Sequence, residues 1–125
     1  MNFLEQLTSE WLEHRGYFVR RHVQVESRRP GVLDCELSIV AFHPETQHLL
    51  QVEPSMDAST RRVRSQRYDR IFDAGRTHIP TMFQALVPVR LVDQVALFGY
   101  GNRDTHATLA GGRVRPIAVL APARV

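Results

Sequence analysis

Residues 31–55 read GVLDCELSIVAFHPETQHLLQVEPS, and their pattern decides the fold. Leu33, Cys35, Leu37, Ile39 and Ala41 alternate with Asp34, Glu36, Ser38, Val40 and Phe42, the two-residue period of a strand. His43 to Gln47 (HPETQ) supplies turn chemistry, and His48 to Glu53 forms a further strand that Pro54 is expected to stop. Because side chains alternate across a strand, Asp34, Glu36 and Ser38 project from one face of the first run. Gln51, Glu53 and Ser55 share one face of the second. Where those two faces coincide, carboxylates from neighbouring strands converge.

Upstream of this stretch, Ser27 to Gly31 is a loop signal, and Tyr17 to Val25 reads as a strand whose alternation is only partial. The three strands predict an antiparallel meander. From Asn2 to about His14, Phe3, Leu4, Leu7, Trp11 and Leu12 recur at helical spacing, and Gly16 ends that helix. Downstream, Ser55 or Asp57 caps a second helix running to about Ala74, with Gly75 at its end and Tyr68, Ile71 and Phe72 as its apolar stripe. A short helical piece over 81–86, a fourth strand over 91–100 and a short fifth over 114–120 complete the chain. The expected fold class is therefore α/β, in the order α-β-β-β-α-β with an added terminal strand. Both helices must bury an apolar face on a mixed sheet.

Composition narrows the function classes. With 125 residues and 43% hydrophobic content, the chain is expected to form one domain over 1–125. There is no apolar run long enough to cross a membrane, and the acidic amino terminus does not resemble a signal peptide, so a cytoplasmic location is expected. The single cysteine, Cys35, excludes a disulfide framework within the chain and a multi-cysteine zinc site. All sixteen basic residues are arginine; the net charge of +3 is compatible with nucleic acid but decides nothing. Asp57 to Arg76 carries six arginines and three aspartates, which makes this helix the candidate backbone-contacting surface, through Arg61, Arg62, Arg64 and Arg67.

The hairpin with its acids, followed by a basic helix, resembles the PD-(D/E)xK phosphodiesterase superfamily, the restriction-endonuclease-like fold, over roughly Phe3 to Tyr100. Members carry an acid in the second core strand, then an acid, any residue and lysine near the end of the third. Here that last element is Glu53, Pro54, Ser55. The resemblance implies a metal-dependent nuclease site in which Glu53, Glu36 and Asp34 hold Mg²⁺ or Mn²⁺, since hard divalent ions prefer carboxylate oxygens. It also implies a helix carboxylate near the metal, for which Glu10 is the candidate.

Two departures stand out. Ser38 occupies the usual position of the second-strand acid, with Glu36 and Asp34 about 6 to 13 Å further along the strand. Ser55 replaces the lysine, and a neutral hydroxyl orients an attacking water only weakly. The implied function is thus a nuclease-fold protein acting on or binding nucleic acid, its metal-dependent hydrolysis weakened or lost. An active Mg²⁺-dependent endonuclease and a non-catalytic α/β protein-interaction module remain alternatives. Related nucleases are often dimeric, which leaves a homodimer open.

Overall fold

A computed structural model describes residues 3–26, 33–55, 61–85, 91–98, 108–109 and 112–116, with side chains over 3–26, 35–55, 66–85 and 91–97. The element order is α1 (Phe3–His14), β1 (Phe18–Glu26), β2 (Leu33–His43), β3 (His48–Ser55), α2 (Arg61–Met82), β4 (Asp93–Phe98), β5 (Thr108–Leu109) and β6 (Gly112–Pro116). One mixed sheet contains all the described strands in the order β1-β2-β3-β4-β6-β5. The expected meander is present: β1 pairs antiparallel with β2, and β2 with β3. After the α2 crossover, β4 lies parallel to β3, and β6 parallel to β4. Where a single terminal strand over 114–120 was expected, the chain forms β5 and β6, and residues 117–120 lie outside the described set. No helix among the described residues is long and apolar enough to cross a membrane.

The helices cover opposite faces of the sheet. Leu4 and Leu12 of α1 pack with Ile39, Ala41, Leu50, Val52 and Leu97. On the other face, Ala74 and Ile79 of α2 pack with Val40, Phe42 and Leu49. Strand parity explains the split, because Ile39 and Ala41 alternate with Val40 and Phe42 along β2. Leu37 departs from it: although three residues from Val40, it joins the same cluster under α2. A regular strand would point these two side chains to opposite faces, so β2 changes face between them.

Three expectations are corrected. In α1 the buried stripe is Leu4, Glu5, Thr8, Ser9 and Leu12, whereas Phe3 is 70% and Leu7 36% exposed. Thr8 and Ser9 are small enough to let the helix approach the sheet, and Thr8 satisfies its hydroxyl on the Leu4 carbonyl at 2.7 Å. Helix α2 does not end at Gly75 but continues through Pro80 to Met82. Gly75 is instead a point of close approach, since a Cβ there would stand 1.8 Å from Oε1 of Gln51. Pro80 sits near the carboxyl end, where its missing N–H costs one helical bond; the chain then tightens into turns closed by Phe83 N to Pro80 O and Gln84 N to Thr81 O. Lastly, Pro54 does not stop β3, which runs on to Ser55 along its parallel neighbour β4. The pairing with β2 ends at Val52, so the missing donor of Pro54 falls beyond that ladder.

Candidate functional site

The site forms where β2 and β3 part. Their register runs from His43 opposite His48 to Ile39 opposite Val52, and the next pair in line is Ser38 and Glu53. There the Ser38 N–H donates to the Glu53 side chain, 3.1 Å from Oε2 and 3.4 Å from Oε1. Opposite Ser38 on the other flank, His22 of β1 has a left-handed backbone, φ 55°. That kink accounts for the incomplete alternation of β1.

Glu53 is only 3% exposed. The Gln51 side chain donates to its Oε2 at 3.0 Å, and also to the Ile71 carbonyl at 3.3 Å. Gln94 of β4 extends the network, donating to Gln51 Oε1 and to the Phe72 carbonyl, both at 2.8 Å; Arg76 donates to Gln94 Oε1 at 2.9 Å. Tyr68 donates to the Glu53 carbonyl at 2.9 Å. Buried amides of the sheet thus satisfy carbonyls and the nearly buried Glu53 carboxyl group. Burial pushes the Glu53 carboxyl up from its ordinary 4.5 to about 7; the Gln51 and Ser38 hydrogen bonds pull it down, and the field of Glu5 pushes it up.

The helix carboxylate that acts on Glu53 is therefore Glu5, on the buried stripe of α1. Glu10 is exposed and accepts a hydrogen bond from Gln6 at 3.1 Å. Reading the largest hydrophobes as the buried stripe pointed to Glu10. The run Leu4, Thr8, Leu12 at four-residue steps was the signal that placed Glu5 inward. Glu36 lies with β1: His22 Nδ1 is 2.8 Å from its Oε2, and Gln24 donates to its Oε1 at 2.5 Å. The other ring nitrogen of His22 is 3.3 Å from Glu5 Oε1, so this imidazole stands between two carboxylates.

Ser55 is buried, and its Oγ accepts a hydrogen bond from Arg67 at 3.3 Å. A guanidinium therefore stands beside the position at which the resemblance expects lysine, its carbon 5.5 Å from the centre of the Tyr68 ring. Between β2 and α2 runs a groove of about 580 Å³ lined by Cys35, Glu36, Gln66, Arg67, Arg70 and Ile71. The side chains of Asp34, Arg61, Arg62 and Arg64 lie outside the described set, although β2 contains residue 34 and α2 contains the three arginines.

Among the described residues, Glu53, Glu36 and Glu5 do not fit a divalent cation. The Glu53 oxygens are met by N–H donors, which present hydrogen where a metal would need an open lone pair. Glu36 and Glu5 both face His22. Among the described residues no group of three or more His, Cys, Asp or Glu is placed to hold a metal ion.

The chain matches no protein-family model, and no curated protein or solved structure matches it.

Proposed function

We propose that this chain is a restriction-endonuclease-like protein that binds nucleic acid and whose metal-dependent phosphodiester hydrolysis is weakened or lost. The observation that carries this reading is Glu53: it lies at the parting of β2 and β3, where the superfamily resemblance expects a metal ligand, yet it is a buried, hydrogen-bonded acid with a pKa of about 7. The order α-β-β-β-α-β, with an antiparallel meander and a parallel fourth strand, agrees with that fold. Ser55 cannot supply the missing ammonium. Arg67 beside it cannot act as a base, because a guanidinium keeps its proton, but it can hold a phosphate oxygen.

On this reading, Arg67 and Arg70 at the groove, with Arg61, Arg62 and Arg64 earlier on α2, contact the phosphate backbone. Arg76 has a structural task on Gln94 and is not part of that surface. Fluorescence anisotropy with labelled single- and double-stranded DNA and RNA tests this. Binding is expected to weaken steeply with salt, and to weaken about tenfold when Arg67 and Arg70 are both changed to alanine, with a shallower salt slope. Glu53→Gln should leave binding within about twofold, and Mg²⁺ or Mn²⁺ should produce no cleavage. Salt-independent binding, or none, removes the nucleic-acid reading; cleavage that disappears in Glu53→Gln restores an active endonuclease.

A further inference from the structure

At the other end of β3, three side chains from separate elements form a chain of hydrogen bonds. The hydroxyl of Tyr17, just after α1, is 2.5 Å from Nδ1 of His48. Nε2 of the same ring is 3.1 Å from Oδ2 of Asp93, the first residue of β4. An ionised carboxylate can only accept, so Nε2 carries the hydrogen, Nδ1 presents its lone pair, and the phenol donates to it. This is the connectivity of a nucleophile, a base and an orienting acid. We propose that Tyr17 is a base-assisted nucleophile, with His48 as its general base and Asp93 as the positioning residue, directed at a phosphoryl group.

The local structure fixes this arrangement. Gly16 is left-handed, φ 95°, and the Tyr17 N–H closes on the Leu12 carbonyl at 3.1 Å, the six-to-one bond of a helix-ending motif that aims Tyr17 at the hairpin. The Tyr17 ring meets His43 and His48 edge-on, with centroids 5.0 and 5.8 Å away. His43 is not a competing base: its Nε2 is 3.2 Å from the Arg15 carbonyl, and its Nδ1 accepts from the N–H groups of Glu45 and Thr46. His48 and Asp93 side chains are 36% and 30% exposed, so a reactant can reach them. Burial and the charge of Asp93 push the Tyr17 phenol up while Arg15 draws it down; the phenol thus stays protonated at neutral pH and needs a base as it attacks.

The surroundings favour phosphoryl over acyl chemistry. An acyl intermediate needs N–H donors for its oxyanion, and among the described residues the backbone N–H groups of the α1 end and the hairpin turn are already engaged: Arg15, Gly16 and Tyr17 donate into the end of α1, Glu45 and Thr46 into His43, and Gln47 to the His43 carbonyl. Arg15, two residues before Tyr17 and with its guanidinium carbon 5.2 Å from the centre of the Trp11 ring, brings to this end of the sheet a positive charge that suits an anionic phosphate. In the step itself, Tyr17 Oη forms a bond to phosphorus as the bond from phosphorus to the leaving oxygen breaks. The phenolic proton passes to His48 Nδ1, and from there to the departing oxygen. Nothing in this site draws on Glu53 or the α2 arginines, so it stands or falls independently of the nucleic-acid reading.

Two probes test it on the full chain, read by intact mass and peptide mapping. Benzenesulfonyl fluoride tests the nucleophile, and bis(4-nitrophenyl) phosphate tests the phosphoryl class. Tyr17 is expected to be sulfonylated at least tenfold faster than N-acetyltyrosine amide. In His48→Gln and Asp93→Asn, shown folded by circular dichroism, the rate should fall at least tenfold and follow phenol ionisation alone. Tyr17→Phe should abolish labelling. The phosphodiester should release a burst of one nitrophenolate and leave its mass on Tyr17. Sulfonylation at the model-compound rate, or unchanged in folded His48→Gln, overturns the base-assisted nucleophile; sulfonylation without a phosphoryl adduct overturns the phosphoryl assignment.

Discussion

Between pH 4 and pH 8 the wild-type protein is expected to lose about 3 kcal/mol of folding stability that a Glu53→Gln variant does not lose. The sign follows from where the proton sits. Below 4.5 the Glu53 carboxyl is protonated in both folded and unfolded chains, and its contribution is fully present. Between 4.5 and about 7 the unfolded chain ionises while the folded one holds its proton, so stability falls; above about 7 both are ionised and the loss is complete. Urea unfolding at a series of pH values measures this, and the difference between the two proteins removes the titration of groups they share. The absolute stability of the variant is a separate matter, because a glutamine carbonyl can keep both bonds at the Oε2 position while its NH2 replaces Oε1, 3.4 Å from the Ser38 N–H. Parallel curves would mean that Glu53 ionises as an ordinary carboxylate.

The second large effect is expected at Gly75. In an exposed helix, alanine in place of glycine gains roughly 1 kcal/mol. Here the added methyl would stand 1.8 Å from Oε1 and 2.6 Å from Cδ of Gln51, a side chain with no exposure. Gln51 cannot swing aside cheaply, since it is bonded to Glu53, the Ile71 carbonyl and Gln94. Overpacking plus the loss of buried hydrogen bonds outweighs the propensity gain, so Gly75→Ala should destabilise by about 2–4 kcal/mol in chemical denaturation at fixed pH. A Gly75→Ala, Gln51→Ala double variant should cost less than the sum of its parts, because the clashing partner is gone. Stabilisation by Gly75→Ala would mean that α2 does not lie on Gln51 as described.

Local patterns carried most of the architecture. Alternation along β2 and the turn residues His43 to Gln47 dictate the hairpin, and the sequence's own order of strands and helices gives a mixed sheet covered on both faces. The two runs put Ser38 and Glu53 on adjacent strands, but their contact through the Ser38 backbone N–H, with Glu36 bonded to His22 and Gln24 instead, was not legible, because β2 changes face between Leu37 and Val40. What was hidden depends on tertiary contact. Glu5 faces inward because Thr8 and Ser9 bring α1 close to the sheet, a preference that hydrophobicity alone assigns to the Phe3 and Leu7 side. Gly75 looked like a helix end because its reason for being glycine lies in another element, at Gln51. His22 gave no signal, since histidine at a left-handed position is recognised only from the backbone. Tyr17, His48 and Asp93 come from separate elements, which only folding brings together.

Burial raises the Glu53 pKa against the pull of its Gln51 and Ser38 hydrogen bonds, and those same N–H donors occupy the oxygens a cation would need. Carbon-13 NMR of the Glu53 carboxyl, assigned by comparison with Glu53→Gln, follows that proton directly. The titration midpoint should fall near 7 and stay there in millimolar magnesium. A midpoint in the ordinary carboxylate range, or one that magnesium shifts downward, would contradict the account and make Glu53 a metal ligand.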